Sequence, residues 1–245
     1  MIDWQGKRYW LVGASEGLGR EVAFALSRAG AEVIVSARSE ERLAALVAEL
    51  PGKASYKAVD VSDRAAVEAA AAEIGPIDGM VYLAGVYWPM KSTEWDNEKA
   101  EAMADINFLG AQRCVGAVIG PMVAANKGHI VLTGSLSGFR GLAGTIGYGA
   151  SKAGLMYMAE AMQADLRNTG VKVQLINPGF IKTRLTDKND FSMPFIMEPD
   201  AAAREFFEHM NTDGFKKSYP MVFSWLFRVS QFFPDWLYYR MFGAR

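Results

Sequence analysis

At 245 residues, with 51% hydrophobic and 22% charged residues, the chain is long enough for one sizeable α/β core. A formal net charge of −1 supplies no pull toward a polyanion and argues against nucleic acid as a partner. The single cysteine, Cys114, excludes an internal disulfide and fits a reducing, cytoplasmic compartment. His129 and His209 stand apart without ligand-type spacing, so no metal site is expected; His129 in "KGHIVLTGS" reads as a strand-edge residue.

The N-terminus enters a strand almost at once and lacks the pattern of a secretory signal. No uncharged apolar run reaches the ~20 residues of a spanning helix, so a soluble protein is expected. "RYWLVG" predicts a strand and "GREVAFALSRAG" a helix closed by Gly30. "AEVIVSA" predicts the second strand. "SEERLAALVAEL" predicts the next helix, with Ser39 as its N-cap and Pro51-Gly52 as its stop. "ASYKAVD" and "DGMVYLAG" follow as strands around an amphipathic "SDRAAVEAAAAEIG", and "GHIVLTGS" and "VKVQLINPG" repeat the theme after longer helices. Strands this apolar are buried on both faces. The expected fold is therefore a single doubly wound, Rossmann-like α/β domain, with helices on both faces of a parallel sheet.

Between the first strand and helix, "LVGASEGLGREVAFAL" places Gly13, Gly17 and Gly19 where a tight turn, a phosphate and close helix–strand packing each require a small residue. With Ser15, Glu16 and Leu18 they form a candidate pyrophosphate cradle at a helix N-terminus. The second strand ends in Ala37-Arg38, where NAD-binding chains carry an acid for the ribose hydroxyls. Arg38 can instead pair with a 2′-phosphate, which favours NADP(H) over NAD(H). The alternative is a solvated arginine at a strand end, and the charge of Glu16 counts against a nearby phosphate.

The rest of the chain adds "DINFLG", "LTGSLSG" and "YGASK" in order. With the Gly-x-x-x-Gly-x-Gly loop, this set resembles the classical short-chain dehydrogenase/reductase family from about Arg8 to Thr183. By that resemblance Tyr148 is the general acid/base, and Lys152 lowers its pKa and holds the nicotinamide ribose. Ser135 orients substrate, and Asn107 holds a relay water behind the lysine. Asp60 and Val61 resemble the adenine contacts, while Ala84 and Gly85 allow close approach of the cofactor. Pro178, Gly179, Ile181 and Thr183 resemble the loop over the carboxamide. In a helix, positions i and i+4 lie about 40° apart, so Tyr148 and Lys152 share a face. A downward shift of two units in the tyrosine corresponds to about 2.7 kcal/mol. Ser151 is expected to face away from Tyr148, toward the cofactor side, and Ser137 to be free to approach substrate.

The resemblance implies reduction of a ketone or aldehyde to an alcohol, or the reverse, and a homo-oligomer. Tyr87, Trp88, Met90, Phe139, Leu142, Phe191, Met193, Phe195 and Ile196 bias the pocket toward apolar substrates, lipid-like ones among them. A non-catalytic NADP(H)-binding regulator or scaffold is the alternative from another class, and an epimerase or dehydratase the alternative within enzymes. The chain departs from the family pattern at Val12 and at "YLAG", where polar side chains are replaced by apolar ones. The larger departure is 214–245. "KKSYPM" predicts a last strand, then a helix whose narrow polar stripe is Ser224, Arg228 and Gln231, then a break at Pro234 and a second short helix. So wide an apolar surface needs a cover: a pocket lid, a subunit interface or a peripheral membrane contact.

Overall fold

The computed structural model describes residues 2–189 and 192–243, so Phe191 and the last two residues of the C-terminal segment lie outside the described residues. Seven strands form one parallel sheet: β1 (Arg8–Val12), β2 (Glu32–Ala37), β3 (Ala54–Ala58), β4 (Gly79–Tyr82), β5 (Gly128–Thr133), β6 (Val171–Pro178) and β7 (Lys216–Tyr219). Their spatial order is β3-β2-β1-β4-β5-β6-β7. The direction of winding therefore reverses between β1 and β4, and a doubly wound sheet opens its ligand crevice at that point, beyond the carboxyl ends of the strands.

Strand periodicity divides the core in two. Along β1, Tyr9 and Leu11 point to one face, with Leu26 of α1 (Gly17–Arg28), Leu43 of α2 (Glu40–Glu49) and Phe206 of α7 (Pro199–Met210). Trp10 and Val12 point to the other. They pack with Val67 of α3 (Arg64–Ile74), Cys114 of α5 (Gly110–Ala124) and Leu155 of α6 (Ile146–Leu166). Every one of these side chains is fully buried, as two-sided cover of a parallel sheet requires. The Trp10 indole donates to Ser36 Oγ at 2.8 Å, so the one polar atom it brings into the core is satisfied.

Local chemistry sets the element ends. Ser39 accepts from the Arg42 N–H and Asp63 from the Ala66 N–H, capping α2 and α3. α4 (Asn97–Ala104) runs into α5 through a π-turn over Asp105–Leu109, a wider loop of helix that periodicity did not predict. The run Asn97–Ala124 is long and apolar enough to cross a membrane by composition. Its Met103, Ala111 and Cys114 are instead fully buried in the core. His129 is not at an edge. It sits on the internal strand β5, bonded to Tyr9 Oη and Gln174 Oε1 at 2.9 Å each, and burial holds its pKa down at about 3.

The C-terminal segment forms β7, α8 (Met221–Ser230) and α9 (Asp235–Phe242), as its pattern predicts. The polar stripe is corrected. Ser224 is buried and donates to the Met221 carbonyl, whereas Trp225, Leu226 and Val229 are exposed. Arg140 ties this segment to the loop before α6. Its guanidinium donates to the Ser230 and Phe233 carbonyls at 3.0 and 2.7 Å, reaches Asp235 at 2.5 Å and lies over the Tyr238 ring at 4.0 Å.

Candidate active site

The turns after β1, β2, β3, β4, β5 and β6 enclose a cavity of about 510 Å³. Its wall contains Gly13, Ser15, Glu16, Gly17, Leu18, Gly19, Arg38, Asp60, Val61, Ala84, Gly85, Tyr148, Lys152, Pro178, Gly179, Ile181 and Thr183. The structure thus gathers every expected cofactor position around one space. Gly13 has φ of 90°, and a Cβ there would overlap the Ala84 backbone; no side chain fits that crossing of the β1 and β4 turns. The Gly13 N–H donates to the Ser36 carbonyl at 2.7 Å, which fixes the cradle to β2.

At the β2 end the cavity is cationic. Arg38, just before the N-cap of α2, is joined there by Arg42 from the first turn of that helix and by Arg184 from the segment after β6. Glu16 bonds Arg42 and Arg184 at 2.8 Å each, so the charge expected to repel a phosphate is balanced twice over. Arg42 and Arg184 were not singled out from the sequence. The four-residue spacing from Arg38 was the available signal for Arg42; nothing local announces Arg184. Asp60 pays for burial against its ionised form, but bonds from the Ser62 N–H and Oγ and the charges of Arg38 and Arg113 outweigh it and hold the carboxyl below its usual range.

At the other end, α6 presents Tyr148 and Lys152 one turn apart. Lys152 is 3% exposed, donates to the Thr133 carbonyl at 2.8 Å and lies 5.7 Å from the Tyr148 ring centre. Burial pulls its ammonium down to about 8. Burial likewise pushes the Tyr148 phenol up to about 12, opposed by a hydrogen bond with Ser135 and assisted by Tyr87, whose ring meets it edge-on at 5.1 Å. In the chain alone, desolvation therefore exceeds what its own charges supply; the expected downward shift also draws on the charge of a bound nicotinamide. Ser135 sits at the end of β5, its Oγ accepting from the Ser137 N–H at 3.2 Å and lying 3.0 Å from Ser137 Oγ.

Asn107 is buried on the π-turn. Its amide donates to the Val86 carbonyl and to Ser151 Oγ at 3.0 and 2.9 Å, and its Oδ1 accepts from the Val86 N–H at 2.7 Å. Both side-chain N–H groups are therefore engaged, so a relay water would be held by another atom of this residue. Ser151 is corrected in turn: it faces Asn107 rather than the cavity and donates to the Tyr148 carbonyl at 2.8 Å. The "YLAG" departure is also more than an apolar swap. Tyr82 Oη donates to the Ile106 carbonyl at 2.5 Å, tying β4 to the turn that carries Asn107.

The pocket-lining expectation divides. Tyr87 and Met90 are buried, while Phe195 and Ile196 are exposed. Tyr87 Oη bonds Asn189 Oδ1 at 2.9 Å, and Lys188 lies over Trp88 at 4.5 Å. Among the described residues, no group of three His, Cys, Asp or Glu side chains could hold a metal ion.

A sequence model described as short chain dehydrogenase matches residues 7–192. The chain belongs to this family. An uncharacterized oxidoreductase of Myxococcus xanthus is 36% identical over 235 residues, covering 93% of each chain. The 3-oxoacyl acyl-carrier-protein reductase of Escherichia coli is 31% identical over 194 residues, covering 76% of this chain and 78% of that one. Among solved structures, an actinorhodin polyketide ketoreductase with NADPH matches at TM-score 0.79 and 25% identity, covering 89% of this chain and 97% of that one. The chain is thus an oxidoreductase of the short-chain dehydrogenase family, with a nucleotide-binding fold.

Proposed function

We propose that this chain is an NADP(H)-dependent oxidoreductase that interconverts a ketone or aldehyde and an alcohol on an apolar, lipid-like substrate. The observation that carries the reading is one cavity with arginines at one end and Tyr148 and Lys152 at the other, where Ser135 hydrogen-bonds Tyr148. The walls fit a dinucleotide, because the close backbone crossings at Gly13 and Gly19 leave the N-terminus of α1, at Gly17, lining the cavity, and the basic end suits a phosphate. Ser15, Glu16, Gly17 and Leu18 would line the pyrophosphate, Arg38 would hold the 2′-phosphate and Asp60 with Val61 the adenine. Ala84 and Gly85 would flank the nicotinamide ribose held by Lys152 and Tyr148, with Pro178, Gly179, Ile181 and Thr183 at the carboxamide. The cofactor, when bound, supplies or accepts the hydride.

Tyr148 gives its proton to the carbonyl oxygen during reduction and takes it back during oxidation. Ser135 donates to the same oxygen, where charge develops. The Lys152 ammonium stabilises the phenolate left behind, and Asn107, through Ser151 and Val86, holds the geometry. The ketoreductase names among the relatives support the direction of reduction.

The test is NADPH oxidation against ketones graded by chain length and bulk. A rate that grows with apolar size and falls at least ~10²-fold in Tyr148→Phe, with NADPH binding kept, is expected. In Arg38→Ala the preference for NADPH over NADH should shrink by ~10-fold or more, since a charged hydrogen bond is worth about 1.5–3 kcal/mol. Equal use of NADH and NADPH by the wild type, or unchanged turnover in Tyr148→Phe, would overturn the reading.

A further inference from the structure

Helix α8 is built inside out. Phe223, Ser224 and Ser230 are its buried residues, and both serines satisfy their hydroxyls on carbonyls of their own helix, Ser224 on Met221 and Ser230 on Phe227. Its outer side shows Met221, Val222, Trp225, Leu226 and Val229. Further along the chain Phe232 is 87% exposed, and Trp236, Tyr239 and Met241 of α9 are exposed as well. Single exposed apolar residues are ordinary, but so many on two successive helices reverse the arrangement of a water-facing helix.

The segment is also the basic end of a slightly acidic protein. Residues 214–245 carry Lys216, Lys217, Arg228, Arg240 and Arg245 against Asp235 alone, in a chain with 26 Lys and Arg and 27 Asp and Glu. Asp235 is engaged by Arg140, Lys216 by Glu160 and Lys217 by Glu205. Among the described residues Arg228 and Arg240 have no carboxylate partner, and Arg228 lies 5.0 Å over the Trp225 ring. Large apolar side chains interspersed with Trp, Tyr and unpaired arginines are the composition of a helix lying in the headgroup layer of a bilayer.

We propose that the outer face of α8–α9 is a docking surface for an anionic lipid bilayer, with both helices flat in the headgroup region. The unpaired charges on this segment are both positive, which complements an anionic bilayer, whereas the same segment of a second copy brings no free acid to meet them, its Asp235 being held by Arg140. The face is anchored to the body of the domain by several contacts. Arg140 grips the turn between the helices, Tyr238 Oη donates to the Gly141 carbonyl at 2.9 Å, and Phe223 packs on Phe180 at 5.8 Å, beside the cavity wall at Gly179. The proposal rests on this surface alone and does not depend on the proposed reaction.

Co-sedimentation of the full chain tests it. Vesicles of equal parts phosphatidylcholine and phosphatidylglycerol should carry the protein down, and vesicles of phosphatidylcholine alone at least ~10-fold less, with binding weakened by salt. At about 1 kcal/mol per basic residue near an anionic surface, Arg228→Gln with Arg240→Gln should weaken binding to the anionic vesicles ~25-fold. Trp225→Asp with Phe232→Asp, and separately Trp236→Ser with Tyr239→Ser, should abolish sedimentation while thermal stability and NADPH binding are retained. Protein left in the supernatant with both vesicles would overturn the proposal. So would a concentration-dependent dimer, seen by analytical ultracentrifugation, that Trp225→Asp with Phe232→Asp dissolves.

Discussion

Lys152 places an ammonium where almost no water reaches it, and the fold bears the cost. Its proton leaves at about 8 in the folded protein, against about 10.4 for an unfolded lysine. Between those values the unfolded chain binds more protons, so this group's contribution to stability rises with pH there; below about 8 the full penalty of ~3 kcal/mol applies. Lys152→Met is therefore expected to melt no lower than wild type at pH 7, despite losing the bond to Thr133. Its advantage should shrink as pH climbs from 8 to 10.5, as thermal melts across that range would show. The same titration reaches the chemistry. For the proposed reaction, the reduction rate should decline above about pH 8 as Lys152 loses its charge, a limb that a pH–rate profile would show. Helical spacing made this pair readable from the sequence, since i and i+4 must share a face. It could not say what surrounds that face, so the direction of the Tyr148 shift and the orientation of Ser151 toward Asn107 emerged only with the packed neighbours.

Among the elements, strands and ordinary helices were legible because burial imposes a period on them. β1 alternates faces residue by residue, and Ser39 and Gly30 punctuate helices by local chemistry. The π-turn at Asp105–Leu109 was not, because a single wide turn changes no hydrophobic period; it shows only through the bonds of Asn107 and Tyr82. The Arg140 loop is a comparable case. Arg140 and the carbonyls it binds are about ninety residues apart, beyond any local pattern. Since bonds to a charged donor contribute about 1.5–3 kcal/mol each at best and the guanidinium is partly exposed, Arg140→Ala should cost about 2 kcal/mol. Chemical denaturation would measure it, and hydrogen exchange should show the loss concentrated in α8 and α9. An unchanged exchange pattern there would mean the helices hold themselves in place.

For the whole molecule, seven parallel strands bring loops from both halves of the sequence to one crevice, which is why motifs spread from Gly13 to Thr183 could be read as a single site. The same convergence lets Glu16, in the glycine loop, meet Arg184, 168 residues later. Both residues line the cavity, so the ion pair joins the glycine loop to the segment after β6 at the proposed cofactor site. If a bound dinucleotide leaves past that contact, its rate of release responds to salt. Exposed pairs contribute about 0–1 kcal/mol, which bounds the effect at about fivefold. Stopped-flow release of NADPH should therefore quicken by up to that factor in Glu16→Gln or in concentrated salt, with little additional effect of the two combined. Where hydride transfer is fast, the tempo of the enzyme would be set by this surface contact rather than by Tyr148.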